Sequence, residues 1–266
     1  MTQRVISAVV ALAIFIPLLL IGGRPFDLMV AIIAGVAYYE ILQMAKIPFP
    51  SWRGIVGLVT MLLQLLPSYY LALLPQEIDY MTLYFAGVAM LLMIMVFKPE
   101  DINFEQVGVI SLAALYVGRG FHLLIETRLL GLLPVIYVLI IIWGNDTFAY
   151  LVGRQIGRRP LAPKVSPNKT IEGSLGGIVG AFICSSIVLY FNNIFGLTII
   201  DNLILAVVLG FLGQVGDLVE SSLKRNYQVK DSGNIMPGHG GFLDRFDSLL
   251  LVLPMFYFLI PFLGSM

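Results

Sequence analysis

Residues 201–263 read DNLILAVVLGFLGQVGDLVESSLKRNYQVKDSGNIMPGHGGFLDRFDSLLLVLPMFYFLIPFL. The middle of this stretch, Ser222 to Asp247, is by far the most polar part of its length in a chain that is otherwise mostly apolar. Apolar runs near 201–221 and 248–263 flank it. Each approaches the roughly 20 apolar residues that a helix needs to cross a bilayer. Neither alternates apolar with polar residues, as the strands of a spanning barrel must. The stretch therefore reads as span, polar loop, span.

The rest of the chain repeats that reading. Its 266 residues are 59% hydrophobic and 12% charged, and the mean hydropathy is +0.92. Soluble domains average about 25% charged residues. Apolar runs fall near 5–22, 26–45, 54–74, 80–97, 104–126, 131–152, 172–191, 201–221 and 248–263. The expectation is an all-α, polytopic membrane protein of about nine transmembrane helices. The weakest spans are 54–74, broken by Pro67, and 104–126, which holds Arg119, Gly120 and His122. The basic, apolar start MTQRVISAVVALAIFIPLLLIGG has no Ala-x-Ala-like cleavage site, so it reads as a retained first span. No linker or repeat divides the chain. One membrane domain, 1–266, is expected, with helices of 1–130 as scaffold and dimer surface and 131–266 carrying the chemistry.

Nine spans put 13 of the 16 basic residues on the side of the N-terminus and leave Arg24, Arg119 and Arg128 on the other. By the positive-inside rule the N-terminus and the two long polar loops, near 153–171 and 222–247, are cytoplasmic, and the C-terminus is outside. The protein is expected in the cell membrane. Net charge is zero, so nothing in the global balance points to nucleic acid. The single cysteine, Cys184, cannot form an internal disulfide and reads as a small residue of an apolar run.

Carboxylates at membrane depth are rare without a partner or a task. Asp217 and Glu220 share one face near the expected cytoplasmic end of their span, Asp244 and Asp247 repeat that spacing at the next, and Asp146 lies in WGNDTFAY. A helix N-terminus favours the charges of Asp244 or Asp247. Asp217, placed at a helix C-terminus, needs a cation, and magnesium suits one or two carboxylates with phosphate oxygens. In the loop GRQIGRRPLAPKVSPNKTIEGS, Ser166, Lys169 and Thr170 offer hydroxyl and ammonium donors, and Thr170 or Asn168 suits the N-cap of the next helix. An ordinary basic loop against anionic lipid is the plainer reading of that segment. His239 stands in PGHGG, where Gly240 and Gly241 allow close approach of a ligand; a structural hydrogen bond serves it equally well. His122, expected on the opposite side, reads as unrelated. Gly173, Gly176, Gly177 and Gly180, then Gly210, Gly213 and Gly216, form helix faces suited to close packing or to clearance for a headgroup.

The chain has no phosphate-loop, HExxH, cysteine–zinc or Gly-x-Ser-x-Gly motif. No Asp-Gly pair occurs, which argues against a CDP-alcohol phosphotransferase. A transporter would spread its charges through the membrane depth, whereas these collect at one face.

Ser222-Leu223-Lys224-Arg225, Lys230-Asp231, Gly233, Pro237, His239-Gly240-Gly241 and Asp244-Arg245-Phe246-Asp247 together resemble the signature of the phosphatidate cytidylyltransferases, or CDP-diacylglycerol synthases. Gly216-Asp217-Leu218-Val219-Glu220-Ser221 extends the likeness, as do Asp146 to Tyr150, Gly153-Arg154, Ser166-Pro167, Lys169-Thr170 and Glu172-Gly173. It covers roughly residues 143–250; Met236 is the one departure, apolar for apolar. The resemblance implies a dimeric membrane enzyme whose partners are CTP, phosphatidic acid and the bilayer, which needs magnesium, with a second ion left open. It implies Asp217 and Asp244 as metal ligands, at the cytoplasmic ends of the later helices. Glu220, Asp146 and Asp247 would be further ligands or their supports. Lys224, Arg225, Lys230 and Arg245 would clamp phosphates, with Ser166, Lys169, Thr170, His239, Gly240 and Gly241 on the substrate.

Overall fold

A computed structural model describes residues 2–193, 195–235 and 240–263. The described chain is almost wholly helical. In order it forms α1 (Thr2–Ile21), α2 (Gly23–Met44), α3 (Trp52–Leu65), α4 (Ser68–Leu71), α5 (Tyr80–Phe97), α6 (Phe104–Leu130) and α7 (Leu132–Ile156). A hairpin of β1 (Pro160–Ala162) and β2 (Ser166–Thr170) follows, then α8 (Ile171–Phe191), α9 (Ile199–Asn226) and α10 (Leu243–Leu259), which ends in one 3-10 turn, Ile260–Phe262. Among the described residues seven helices are long and apolar enough to cross a membrane, and Val9–Ile21 and Trp52–Leu65 are shorter apolar helices. These seven long helices do not by themselves confirm the expected count of nine.

The two weak spans resolve differently. The run at 54–74 breaks where its proline stands: α3 ends at Leu65 and α4 restarts at Ser68, on either side of Pro67. The run at 104–126 holds as one helix, because Gly120 and His122 are buried in packed surroundings that outweigh their poor propensity. The loop near 153–171 contains the antiparallel hairpin, with Pro160 paired to Thr170 and Ala162 to Ser166.

The chain divides into two compact units. One comprises Met1–Leu129 with Val229–Asp244, the other Leu130–Gln228 with Arg245–Met266. In the first, Phe26, Val30, Ala34 and Tyr38 of α2 are buried with Met61 of α3 and Ile110, Val117 and Phe121 of α6. A Cβ on Gly118 would stand 2.7 Å from the Met61 carbonyl, so α6 meets α3 backbone to backbone. On α5 only Leu91 is buried; Phe85 and Phe97 are 69% and 80% exposed. Such a surface is stable against lipid and not against water.

In the second unit α8 lies on α7 through its glycine face. A Cβ on Gly173 would come within 2.7 Å of the Ala149 carbonyl, and one on Gly177 within 2.8 Å of that of Asn145. Of the two readings of these glycines, close packing is the one the helices use. Lipid offers no hydrophobic drive between helices, so close approach and interhelical hydrogen bonds hold them together. The bond from Gln214 Nε2 of α9 to Asn145 Oδ1 of α7, 2.8 Å, is one. The chain from Tyr137 Oη to Asn202 Oδ1, 2.6 Å, and from Asn202 Nδ2 to Ser186 Oγ, 2.7 Å, is another.

Candidate active site

Within the second unit, α9 carries Asp217, but not at its end. The helix continues to Asn226, so the dipole argument made for a C-terminal carboxylate does not hold. The reason is local: Lys224 pairs with Glu220 one turn before it and adds a further turn of helix. Lys224 and Arg225 are therefore helical, and the polar connection begins after them. Arg225 also donates from Nε to the Val165 carbonyl, at 3.4 Å, at the hairpin.

The cation that Asp217 requires is present in the chain. Lys169 Nζ, on β2, lies 2.6 Å from Asp217 Oδ2. Asp217 also accepts from Ser221 Oγ at 3.3 Å. Lys169 is delivered by the step from hairpin to helix: Thr170, the next residue, caps α8 by accepting from Gly173 N at 3.1 Å. Glu172 accepts from the amides of Arg158 and Arg159, at 3.0 and 3.2 Å, and so ties the other side of the hairpin to α8.

Asp146 of α7 and Asp247 of α10 lie within electrostatic reach of both Asp217 and Lys169. Asp146 accepts from Asn145 Nδ2 at 3.3 Å. Asn145 is in turn held by Gln214, which also donates to the Ser174 carbonyl at 3.0 Å and accepts from the Ser174 hydroxyl. Asp247 is set by the contact of α10 with α9, where a Cβ on Gly216 would stand 2.6 Å from the Asp247 carbonyl. Of these three carboxylates, Asp217 makes the ion pair with Lys169. Among the described residues no three His, Cys, Asp or Glu side chains converge as a metal-ligand set. Beside α9, burial pushes the Tyr227 phenol pKa up.

The first unit holds the other half of the signature. Asp244, in the first turn of α10, accepts at Oδ2 from Ser232 N (3.0 Å), Ser232 Oγ (2.8 Å) and Gly241 N (2.9 Å). Gly240 takes φ +81°, and a Cβ there would press to 2.7 Å from the same oxygen. Only glycine suits both demands. Lys230 is exposed in this unit, and Arg245 is exposed in the other. His239 lies outside the described residues.

One participant escaped sequence reasoning. Glu40, in α2, is fully buried and accepts from Phe242 N and Leu243 N, both at 2.9 Å, and from Ser232 Oγ at 3.1 Å. The signal available was a lone carboxylate inside an apolar run.

The chain matches the cytidylyltransferase family over residues 2–263. It is 43% identical over 265 residues to the phosphatidate cytidylyltransferase of Bacillus subtilis (strain 168), covering 98% of this chain and 97% of that one. It is 39% identical over 255 residues to the phosphatidate cytidylyltransferase of Staphylococcus aureus (strain COL), with 96% and 97% covered. Against that of Staphylococcus saprophyticus subsp. saprophyticus the identity is 38% over 259 residues. The likeness runs nearly from end to end of the chain, and this membrane protein therefore belongs to the cytidylyltransferase family.

Proposed function

We propose that the chain transfers a cytidylyl group from CTP to phosphatidic acid, giving CDP-diacylglycerol and pyrophosphate, in a magnesium-dependent reaction. The observation that carries this reading is the near-complete match to relatives that bear the name phosphatidate cytidylyltransferase. The pairing of Lys169 with Asp217 beside Asp146 and Asp247 supports it.

The nucleophile is the lipid's own phosphate oxygen. A phosphomonoester has a second pKa of about 6 and is largely ionised at neutral pH, so no strong protein base is needed. That oxygen bonds to the α-phosphorus of CTP, the bond from the α-phosphorus to the bridging oxygen breaks, and its electron pair leaves with pyrophosphate. The obstacle is the meeting of two anions. Lys169, Lys224, Arg225, Lys230 and Arg245 screen and orient them. Lys169 is a mobile point charge that moves from Asp217 to a phosphate oxygen at little cost. Ser166, His239, Gly240 and Gly241 line the substrate, and Thr170 serves it by capping α8 beside Lys169.

The donor set suits magnesium, which is usually held by one or two carboxylates and takes the rest of its shell from phosphates and water, without a preassembled cage. Asp217 and Asp244 would hold it, with Glu220, Asp146 and Asp247 as further ligands or supports. When bound, the ion neutralises charge on the phosphate oxygens. The same reading expects a homodimer, cytoplasmic N-terminus and polar loops, and an external C-terminus.

The test is incorporation of radiolabelled CTP into a chloroform-soluble product by purified protein in detergent, with phosphatidic acid and magnesium. Label that requires both supports the reading. No label from folded protein across several acyl chains overturns the substrate assignment.

A further inference from the structure

The first four amides of a helix have no partner within it, and a buried helix start needs acceptors from elsewhere. At α10 they come from a residue about 200 positions away. Glu40 takes Phe242 N on Oε1 and Leu243 N on Oε2, while Asp244 takes Gly241 N. Ser232 joins the two carboxylates: its hydroxyl lies 3.1 Å from Glu40 Oε2 and 2.8 Å from Asp244 Oδ2. The single hydroxyl proton serves one at a time, and the Ser232 amide stays on Asp244.

We propose that Glu40 is a positioning residue for the cytidylyl transfer: from α2 it caps α10, anchors Ser232 and so fixes the carboxylate of Asp244. The inference rests on the function proposed above. Two details separate it from ordinary burial of a polar group. First, these partners are all donors, so only a group that accepts on both oxygens satisfies them; glutamine would turn an NH2 toward an N–H. Second, the loop is shaped around the carboxylate. A Cβ on Gly233 would lie 2.6 Å from Glu40 Oε1, and one on Gly241 would collide with both oxygens. These are glycines of the signature itself, so part of that motif is complementary to Glu40.

The experiment compares the unsubstituted protein, Glu40→Gln and Ser232→Ala in detergent. Hydrogen exchange by mass spectrometry is read on peptides covering 229–244 and on peptides of α3 and α6, beside thermal unfolding and initial rates. In Glu40→Gln, exchange should rise in 229–244 and stay unchanged in α3 and α6. Turnover should fall roughly 100-fold, as small misplacements of reacting groups do, with the KM for phosphatidic acid within about threefold. Ser232→Ala should move both readouts the same way by less. Turnover within about threefold of the unsubstituted protein, or exchange raised uniformly through α3 and α6, would overturn the inference. Should Glu40→Gln not fold, Ser232→Ala carries the comparison, since it leaves the carboxylate and its two amides in place. No transfer by the unsubstituted protein would instead overturn the function on which the inference rests.

Discussion

Lys169 Nζ stands 2.6 Å from Asp217 Oδ2, with the two side chains 27% and 38% exposed. A half-exposed ion pair contributes about 0–1 kcal/mol to stability. This one joins the hairpin to the middle of α9, where neither helix nor hairpin needs it to fold. Lys169→Ala should leave the unfolding temperature nearly unchanged and raise the apparent KM for CTP or phosphatidic acid. Thermal unfolding and initial rates check the two halves separately. An unchanged KM would return Lys169 to contact with the lipid surface.

Asp217→Asn and Asp244→Asn should each lower turnover by about 10³ or more, the scale on which loss of a charge-stabilising group acts. Membrane insertion should persist. Asp146→Asn and Asp247→Asn should cost less, because they stand beside Asp217 and its lysine rather than in that ion pair. EDTA should abolish the activity of the unsubstituted protein and magnesium restore it. Near-normal turnover in either of the first two variants would remove that residue from the metal site.

Much of this arrangement was legible because its signals are local. Composition marked the membrane helices, the spacing of Gly173 and Gly177 marked the face of α8 that meets α7, and SPNKT marked a cap at Thr170 or Asn168, of which α8 uses Thr170. What stayed hidden depended on distant partners or on helix continuation. Glu40 sits in a run that periodicity reads only as apolar, and its donors lie about 200 residues away. The extension of α9 to Asn226 depends on Glu220 and Lys224 one turn apart, inside a segment whose polarity resembled a loop. His122, expected to stand apart, is buried 3.9 Å from Glu126, and Glu126 accepts from Ser68 N at 2.7 Å. That cluster fastens the restart after Pro67, which no local pattern announces.

The glycines of α8 and α9 should differ in tolerance. A Cβ on Gly177 would lie 2.7 Å from Asn145 Oδ1 and 2.8 Å from the Asn145 carbonyl, both fixed groups. On Gly213 the nearest atom would be Val252 Cγ2 at 3.6 Å, ordinary contact. Gly177→Ala should therefore destabilise by about 1–3 kcal/mol and disturb Asp146, the neighbour of Asn145. Gly213→Ala should be neutral or slightly stabilising through helix propensity. Unfolding temperatures of the two variants in one detergent decide this; equal effects would mean that α7 and α8 yield more easily than their backbone approach implies.

Thr170 tests whether the hairpin is held from the helix side. Its hydroxyl accepts from Gly173 N at 3.1 Å, and its neighbour Lys169 reaches Asp217 from the same turn. Thr170→Val keeps the shape and loses the acceptor, at a cost of about 1 kcal/mol for a lost N-cap. Thr170→Ser keeps the acceptor. If the cap also sets the direction of β2, Thr170→Val should raise the same KM as Lys169→Ala while Thr170→Ser stays near the unsubstituted value, and combining Thr170→Val with Lys169→Ala should add little to Lys169→Ala alone. Additive effects would instead give Thr170 its own contact with substrate, independent of the lysine it precedes.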